Sequence, residues 1–207
     1  MSYKVNELYF NNIDTHNKAY ILGFLAADDY LCTPANRIHL EIHNKDSALL
    51  DFIKKELNSD HKIYTPRENT VKLSIQRKQI CEDLKKLGFT NRKSYQFQFP
   101  NINRKYYNSF ILGVFDGDGT VILENYAKSA KRLSISILGS TELLTKIKEI
   151  LSEIQIISAI GNTKSLLTKT LRFSSKNSIK TFYEYIYKNS EFYLERKHNH
   201  FYNFFKN

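Results

Sequence analysis

The chain has 207 residues, 42% hydrophobic and 25% charged, which is apolar enough for one or two small cores and excludes a disordered chain. Its formal net charge of +10 and pI of about 9.4 suit a polyanionic partner, because Lys and Arg that neutralise phosphates release counterions. Two cysteines, Cys32 and Cys81, in no Cys-x-x-Cys spacing, argue against a disulfide framework or a zinc site.

In chain order, the first residues lack a continuous apolar run, so no signal peptide is expected. The stretch Ala19-Tyr20-Ile21-Leu22-Gly23-Phe24-Leu25-Ala26-Ala27-Asp28-Asp29 reads as an apolar helix, far too short to span a bilayer. A soluble, intracellular protein is expected, in the cytoplasm or an organelle matrix. Arg37-Ile38-His39-Leu40-Glu41-Ile42-His43 alternates apolar and polar residues, the mark of a strand with one buried face. An amphipathic helix follows, capped by Asp46 or Ser47 and burying Leu49, Leu50, Ile53 and Leu57. A further strand is predicted near Val71 to Gln76 and a helix from Lys78 to Leu87. The polar run Thr90 to Asn101, broken at Pro100, reads as a linker.

The series then restarts. Ser109-Phe110-Ile111-Leu112-Gly113-Val114-Phe115-Asp116-Gly117-Asp118-Gly119 echoes the first apolar stretch, with an aspartate five residues after the glycine in both copies. Arg132-Leu133-Ser134-Ile135-Ser136-Ile137 alternates again. Ser140 or Thr141 then caps a helix that buries Leu143, Leu144, Ile147 and Leu151. A strand is predicted near Thr170 to Ser174 and a helix from Asn177 to Lys188. The fold class expected is α+β: two pseudo-symmetric αββαββα halves, residues 1–89 and 105–207, joined by a linker over 90–104. A duplicated half gives a pseudo-two-fold, the symmetry that also relates the two backbones of duplex DNA.

The two apolar stretches, ending Ala26-Ala27-Asp28-Asp29 and Asp116-Gly117-Asp118-Gly119, resemble the LAGLIDADG signature of the homing endonucleases. The order of elements after each copy extends the resemblance over nearly the whole chain. It implies saddle-shaped antiparallel sheets, with the signature helices packed at a central seam. It also implies a monomer that cuts both strands of a long, asymmetric double-stranded DNA site, leaving 3′ overhangs. The cofactor implied is Mg²⁺, with Mn²⁺ or Ca²⁺ able to substitute. Physical chemistry makes sense of the pattern. Helices approach this closely only where small residues meet, which Gly23, Ala27, Gly113 and Gly117 supply. That packing gathers Asp28 and Asp118 at helix ends that already carry partial negative charge, a cost that divalent cations offset. Such ions activate water and stabilise the leaving 3′ oxygen. The resemblance assigns Asp28 and Asp118 as catalytic metal ligands, one serving each strand, with Asp29 and the backbone of Gly119 as further candidate ligands. Two positions depart from the signature. Ala26 stands in place of the earlier acid, which the second copy keeps as Asp116. Asp29 replaces the terminal glycine, at a helix-ending position that Asp tolerates better than most residues.

With Ile38, Leu40 and Ile42 inward, Arg37, His39 and Glu41 face the other way, and by the same parity so do Lys72, Ser74 and Gln76. In the second half Arg132, Ser134 and Ser136 do so, with Thr170, Arg172 and Ser174. Counting on from each acid adds Tyr30 and Cys32, and Thr120, Ile122 and Glu124. Such a mixture can contact base edges and phosphates, and the resemblance lays this surface on DNA. Asn91-Arg92-Lys93-Ser94 matches Glu195-Arg196-Lys197-His198. The resemblance places a basic residue there reaching toward the active site, so Lys93 and Lys197 are candidate catalytic groups. Asn44 is a candidate polar neighbour of the site and DNA contact, opposite only Gly139 in the second half. His198 and His200 read as surface histidines. Two other readings of the same fold stay open: an RNA-binding intron maturase, and a DNA-binding regulator without activity. Retention of both Asp28 and Asp118 argues against the regulator.

Overall fold

Two helices in this chain have no polar face. α1 (His16–Ala27) is buried from Ala19 to Leu25, and α4 (Tyr107–Asp118) from Asn108 to Asp116. A helix apolar all round has to be enclosed, and these two enclose one another. Their backbones approach so closely that a methyl on Gly23 would lie 2.9 Å from the carbonyl carbon of Phe110. One on Gly113 would lie 2.6 Å from the amide nitrogen of Phe24, and one on Gly117 would overlap the methyl of Ala27. The seam expected from the small residues is present.

The structure, a computed structural model, describes residues 3–27, 35–89, 97–127, 130–165 and 167–206. After α1 come β1 (Arg37–His43), a 3-10 turn (Asn44–Asp46), α2 (Ser47–Glu56), β2 (Ile63–Tyr64), β3 (Thr70–Gln76) and α3 (Lys78–Lys86). Their strands pair antiparallel in the order β1-β3-β2. The strand expected directly after the first apolar helix falls on residues 28–34, outside the described residues. After α4 come β4 (Gly119–Ala127), β5 (Ala130–Gly139), α5 (Thr141–Glu153), β6 (Ala159–Asn162), β7 (Lys169–Phe173), α6 (Lys176–Tyr187) and α7 (Glu195–Lys206). This second sheet is also antiparallel, ordered β4-β5-β7-β6. The mixed α and β architecture with two antiparallel sheets is the one expected. No helix among the described residues is long and apolar enough to cross a membrane.

Alternation does the sorting in each sheet. Ile38, Leu40, Leu73 and Ile75 are buried in the first; Leu133, Ile135, Ile137, Leu171 and Phe173 are buried in the second. The amphipathic helices close over them with Leu49, Leu50 and Ile53, and with Leu143, Leu144 and Ile147. The Ser140 hydroxyl caps α5 by accepting from the Leu143 N–H at 3.1 Å, as predicted. The cap proposed for α2 is corrected, because Asp46 makes no side-chain bond to that helix. Its carboxylate is instead gripped from both oxygens by the guanidinium of Arg196, at 2.9 to 3.1 Å.

That ion pair, made at the start of α7, adjoins a feature with no sequence signal, a strap over residues 191–194 that ties the C-terminal end of the chain onto α1 and α2. Glu191 accepts from Asn17 at 2.8 Å. Phe192 stacks on Phe52 with ring centroids 4.5 Å apart and lies 5.9 Å from the ring of Tyr20.

Candidate active site

Asp118 is the last residue of α4. The helix stops there because Gly119 takes an extended conformation (φ −83°, ψ 149°) and leads straight into β4. The side chain is half-buried and lines a recess of about 210 Å³ with Ala26, Ala27, Val114, Leu138 and Gly139. The recess therefore lies where the ends of α1 and α4 meet. Asp28, the residue after Ala27, lies outside the described residues, as do Asp29, Tyr30, Cys32 and Lys93.

Behind Asp118 the polar groups form one buried network. Asp116, 1% exposed, accepts at Oδ2 from the Tyr20 hydroxyl across the seam and from the Leu194 N–H of the strap, both at 2.9 Å. Burial pushes its carboxyl up to about 6, against the pull of these donors and of Lys197. Lys197 is itself only 4% exposed. Its ammonium donates to the carbonyls of Phe115, Asp116 and Gly119 at 2.6, 2.8 and 2.5 Å, which uses all three of its hydrogens. Burial pulls its pKa down to about 8, while Asp116 and Asp118 favour the charged form. A cation here answers the partial negative charge of the helix end, and so eases the placing of a second carboxylate at Asp118.

The network is one-sided. Tyr20 corresponds to Phe110 in the repeat and Asp116 to Ala26, so the pseudo-symmetric contact has neither hydroxyl nor carboxylate. Tyr20→Phe is expected to cost about 1–3 kcal/mol, because it strips a donor from a buried carboxylate. Urea melts should show a lower midpoint at unchanged slope; an unaltered midpoint would mean that the bond is not formed.

Most residues expected on the outward faces line up across the strands. In the first sheet Arg37 pairs with Gln76, His39 with Ser74, and Glu41 with Lys72. In the second, Thr120 pairs with Ser136, Ile122 with Ser134, and Glu124 with Arg132, while Arg172 pairs with Ser136 on its other side. Arg37 donates to Gln76 at 2.8 Å and Arg132 to Glu124 at 3.0 Å, so both guanidiniums are already oriented. Ser174 follows β7, half-buried, and Asn44 is exposed at the end of β1.

Several expectations are corrected. Thr170 is 3% exposed, on an interior strand between Leu138 and Gly161, so it presents no hydroxyl to the outer face. The Gly119 carbonyl already accepts from Lys197, and a cation at that oxygen opposes a second one. Lys197 reaches the end of α4 as expected, but its donors point at main chain rather than outward. His198 is not a bare surface histidine: its ring stacks on Tyr193 and its Nε2 bonds the Tyr183 hydroxyl at 3.0 Å. Leu138, 42% exposed beside Asp118, has no polar signature and was not anticipated.

The geometry defines a class: paired helices meeting at small residues, an acid at the helix end and two flanking antiparallel sheets. Residues 105–187 match the LAGLIDADG-like domain. The chain as a whole has the fold of the LAGLIDADG homing endonucleases. The I-LtrWI LAGLIDADG homing endonuclease bound to target DNA superposes with a TM-score of 0.56 and 17% identity, over 97% of this chain and 91% of that one. The I-SmaMI LAGLIDADG homing endonuclease bound to cleaved DNA gives a TM-score of 0.56 and 14% identity, over 81% and 82% of the two chains. I-SmaMI bound to uncleaved DNA target in the presence of calcium ions gives 0.56 and 12%, over 81% and 84%. Curated proteins give no match to the sequence.

Proposed function

We propose that the chain is a monomeric, site-specific endonuclease of double-stranded DNA, with halves at 1–89 and 105–207 sharing one cleavage centre at the seam. The observation that carries this reading is Asp118: a carboxylate at the end of a seam helix, beside the end of the matching helix, leading directly into the strand that carries Thr120, Ile122 and Glu124. The fold shared with DNA-bound LAGLIDADG endonucleases supports it.

A divalent metal fits the donor set. No group of three His, Cys, Asp or Glu that could hold an ion occurs among the described residues. Two carboxylates, Asp28 and Asp118, completed by phosphate oxygens and water, make a hard-oxygen site suited to Mg²⁺. The metal would supply an activated water and stabilisation of the departing 3′ oxygen. The chain's own groups do the rest. The outward rows of β1, β3, β4 and β5, with Arg172, seat the duplex and hold its backbone in register. Asp118, and Asp28 by its place in the repeat, are assigned one strand each, which would give staggered cuts with 3′ overhangs. Lys197 acts as a positioning residue that fixes the end of α4, and Lys93 is its counterpart.

With the end of α4 no longer held, Lys197→Met should misplace Asp118 and slow single-turnover cleavage of saturated DNA about 10²-fold, with near-normal binding. A variant that binds poorly but cuts at full rate once saturated would make Lys197 an anchor instead. Metal removal tests the reading as a whole. Cleavage should vanish with chelator and return with Mg²⁺, while chelator leaves sequence-selective binding in place. Cutting that persists without divalent ions would overturn the proposal.

A further inference from the structure

The turn between β2 and β3 carries an arginine that strand parity does not reach. Arg67 donates through Nε at 3.0 Å and Nη2 at 2.5 Å to one oxygen of Glu41, whose other oxygen lies 3.8 Å from the ammonium of Lys72. The backbone beneath it is braced as well. Asn69 adopts a left-handed conformation at φ 61°, a turn role that Asn tolerates. The N–H and hydroxyl of Thr70 both donate to the Arg67 carbonyl at 3.2 Å, and the Asn44 N–H donates to the Asn69 carbonyl at 2.9 Å. The Arg67 side chain is nonetheless 75% exposed. It rims a recess of about 560 Å³ with His39, His43, Thr70 and Lys72. An exposed ion pair adds little stability. What the carboxylate and the turn achieve together is a fixed direction for the guanidinium. Two of its five N–H groups are spent on Glu41, leaving three directed elsewhere.

We propose that Arg67, aimed by Glu41, reads one guanine of the DNA target through O6 and N7 in the major groove, and so determines specificity at that base pair. This rests on the endonuclease reading above. An arginine fork matches those two acceptors, and a fixed direction favours base readout because a base edge must be met in one orientation, whereas a phosphate can be met from many. Lys72, on the same face, is placed to hold the neighbouring backbone.

The test is a binding selection from a randomised duplex library at one fixed salt concentration, run on wild type, Arg67→Ala, Arg67→Lys and Glu41→Gln. Wild type should prefer guanine at the position in question. Arg67→Ala and Arg67→Lys should each lose roughly tenfold of that preference, with other positions unchanged. Glu41→Gln should lose part of it at the same position. Unchanged base preferences in Arg67→Ala would overturn the proposal. So would an Arg67→Lys that matches wild type while Arg67→Ala weakens binding to every sequence, the signature of a phosphate anchor. Should wild type enrich no sequence at all, the endonuclease reading fails along with it; an enriched site insensitive to Arg67 sinks this inference alone.

Discussion

Asp118→Asn is expected to abolish cutting of one DNA strand and leave the product nicked, with binding close to normal. The carboxylate sits at the end of α4, where its charge adds to that of the helix dipole. An amide keeps the shape and removes the charge that, on the proposed reading, would recruit a divalent ion. Losing a carboxylate removes repulsion toward phosphate, so affinity without metal should hold or rise. Asp28→Asn should do the same to the opposite strand. Duplexes labelled separately on each strand resolve the two events. Full double-strand cutting by Asp118→Asn would remove it from the chemistry.

Gly113→Ala is expected to be the most damaging single change in the scaffold. The added methyl would overlap the Tyr20 carbonyl and lie 2.6 Å from the Phe24 nitrogen, both of them backbone atoms of a buried helix. No rotamer change relieves that clash, so α1 and α4 must separate. Overpacking a core commonly costs about 1–3 kcal/mol and occasionally more. With main chain as the obstacle, about 3 kcal/mol or greater is expected, a large share of a typical domain's stability. The separation also carries Asp118 away from the end of α1, so surviving protein should bind DNA and cut it slowly. Gly139→Ala is the control. The nearest atoms to its methyl would be side-chain carbons of Leu143 and Leu144, at 3.3 to 3.4 Å and not backbone, and its melting midpoint should stay near that of wild type. Equal stability of Gly113→Ala and wild type would mean that the helices do not meet as described.

What could be read in advance was local. Ile38, Leu40, Ile135 and Ile137 announce their strands by parity, and Ser140 announces its cap, because each signal lies within a few residues of its effect. The seam was legible for a similar reason, since small residues recur in both copies, Gly23 with Gly113 and Ala27 with Gly117. Interactions between distant residues left no such trace. Asp46 has the right type and place for a cap, yet a guanidinium 150 positions away takes its carboxylate. The resemblance to the LAGLIDADG family placed Lys197 near the site, but nothing local shows that three carbonyls absorb its hydrogens. Thr170 obeys its parity and is still covered, because parity names a face and says nothing about what lies over it. Arg67 carries no periodic signal because a turn has no period, and the carboxylate that orients it, Glu41, belongs to another strand.

The central claim, that this chain cuts both strands of a long DNA site at a shared metal-dependent centre, is most directly tested by sequencing ends. The purified protein is incubated with a randomised duplex library and Mg²⁺, and every cleaved terminus is read on both strands. One recurrent long, asymmetric site, cut on both strands with short 3′ overhangs and only when Mg²⁺ is present, is the predicted outcome. Intact duplexes, or breaks scattered without a common sequence, would contradict it.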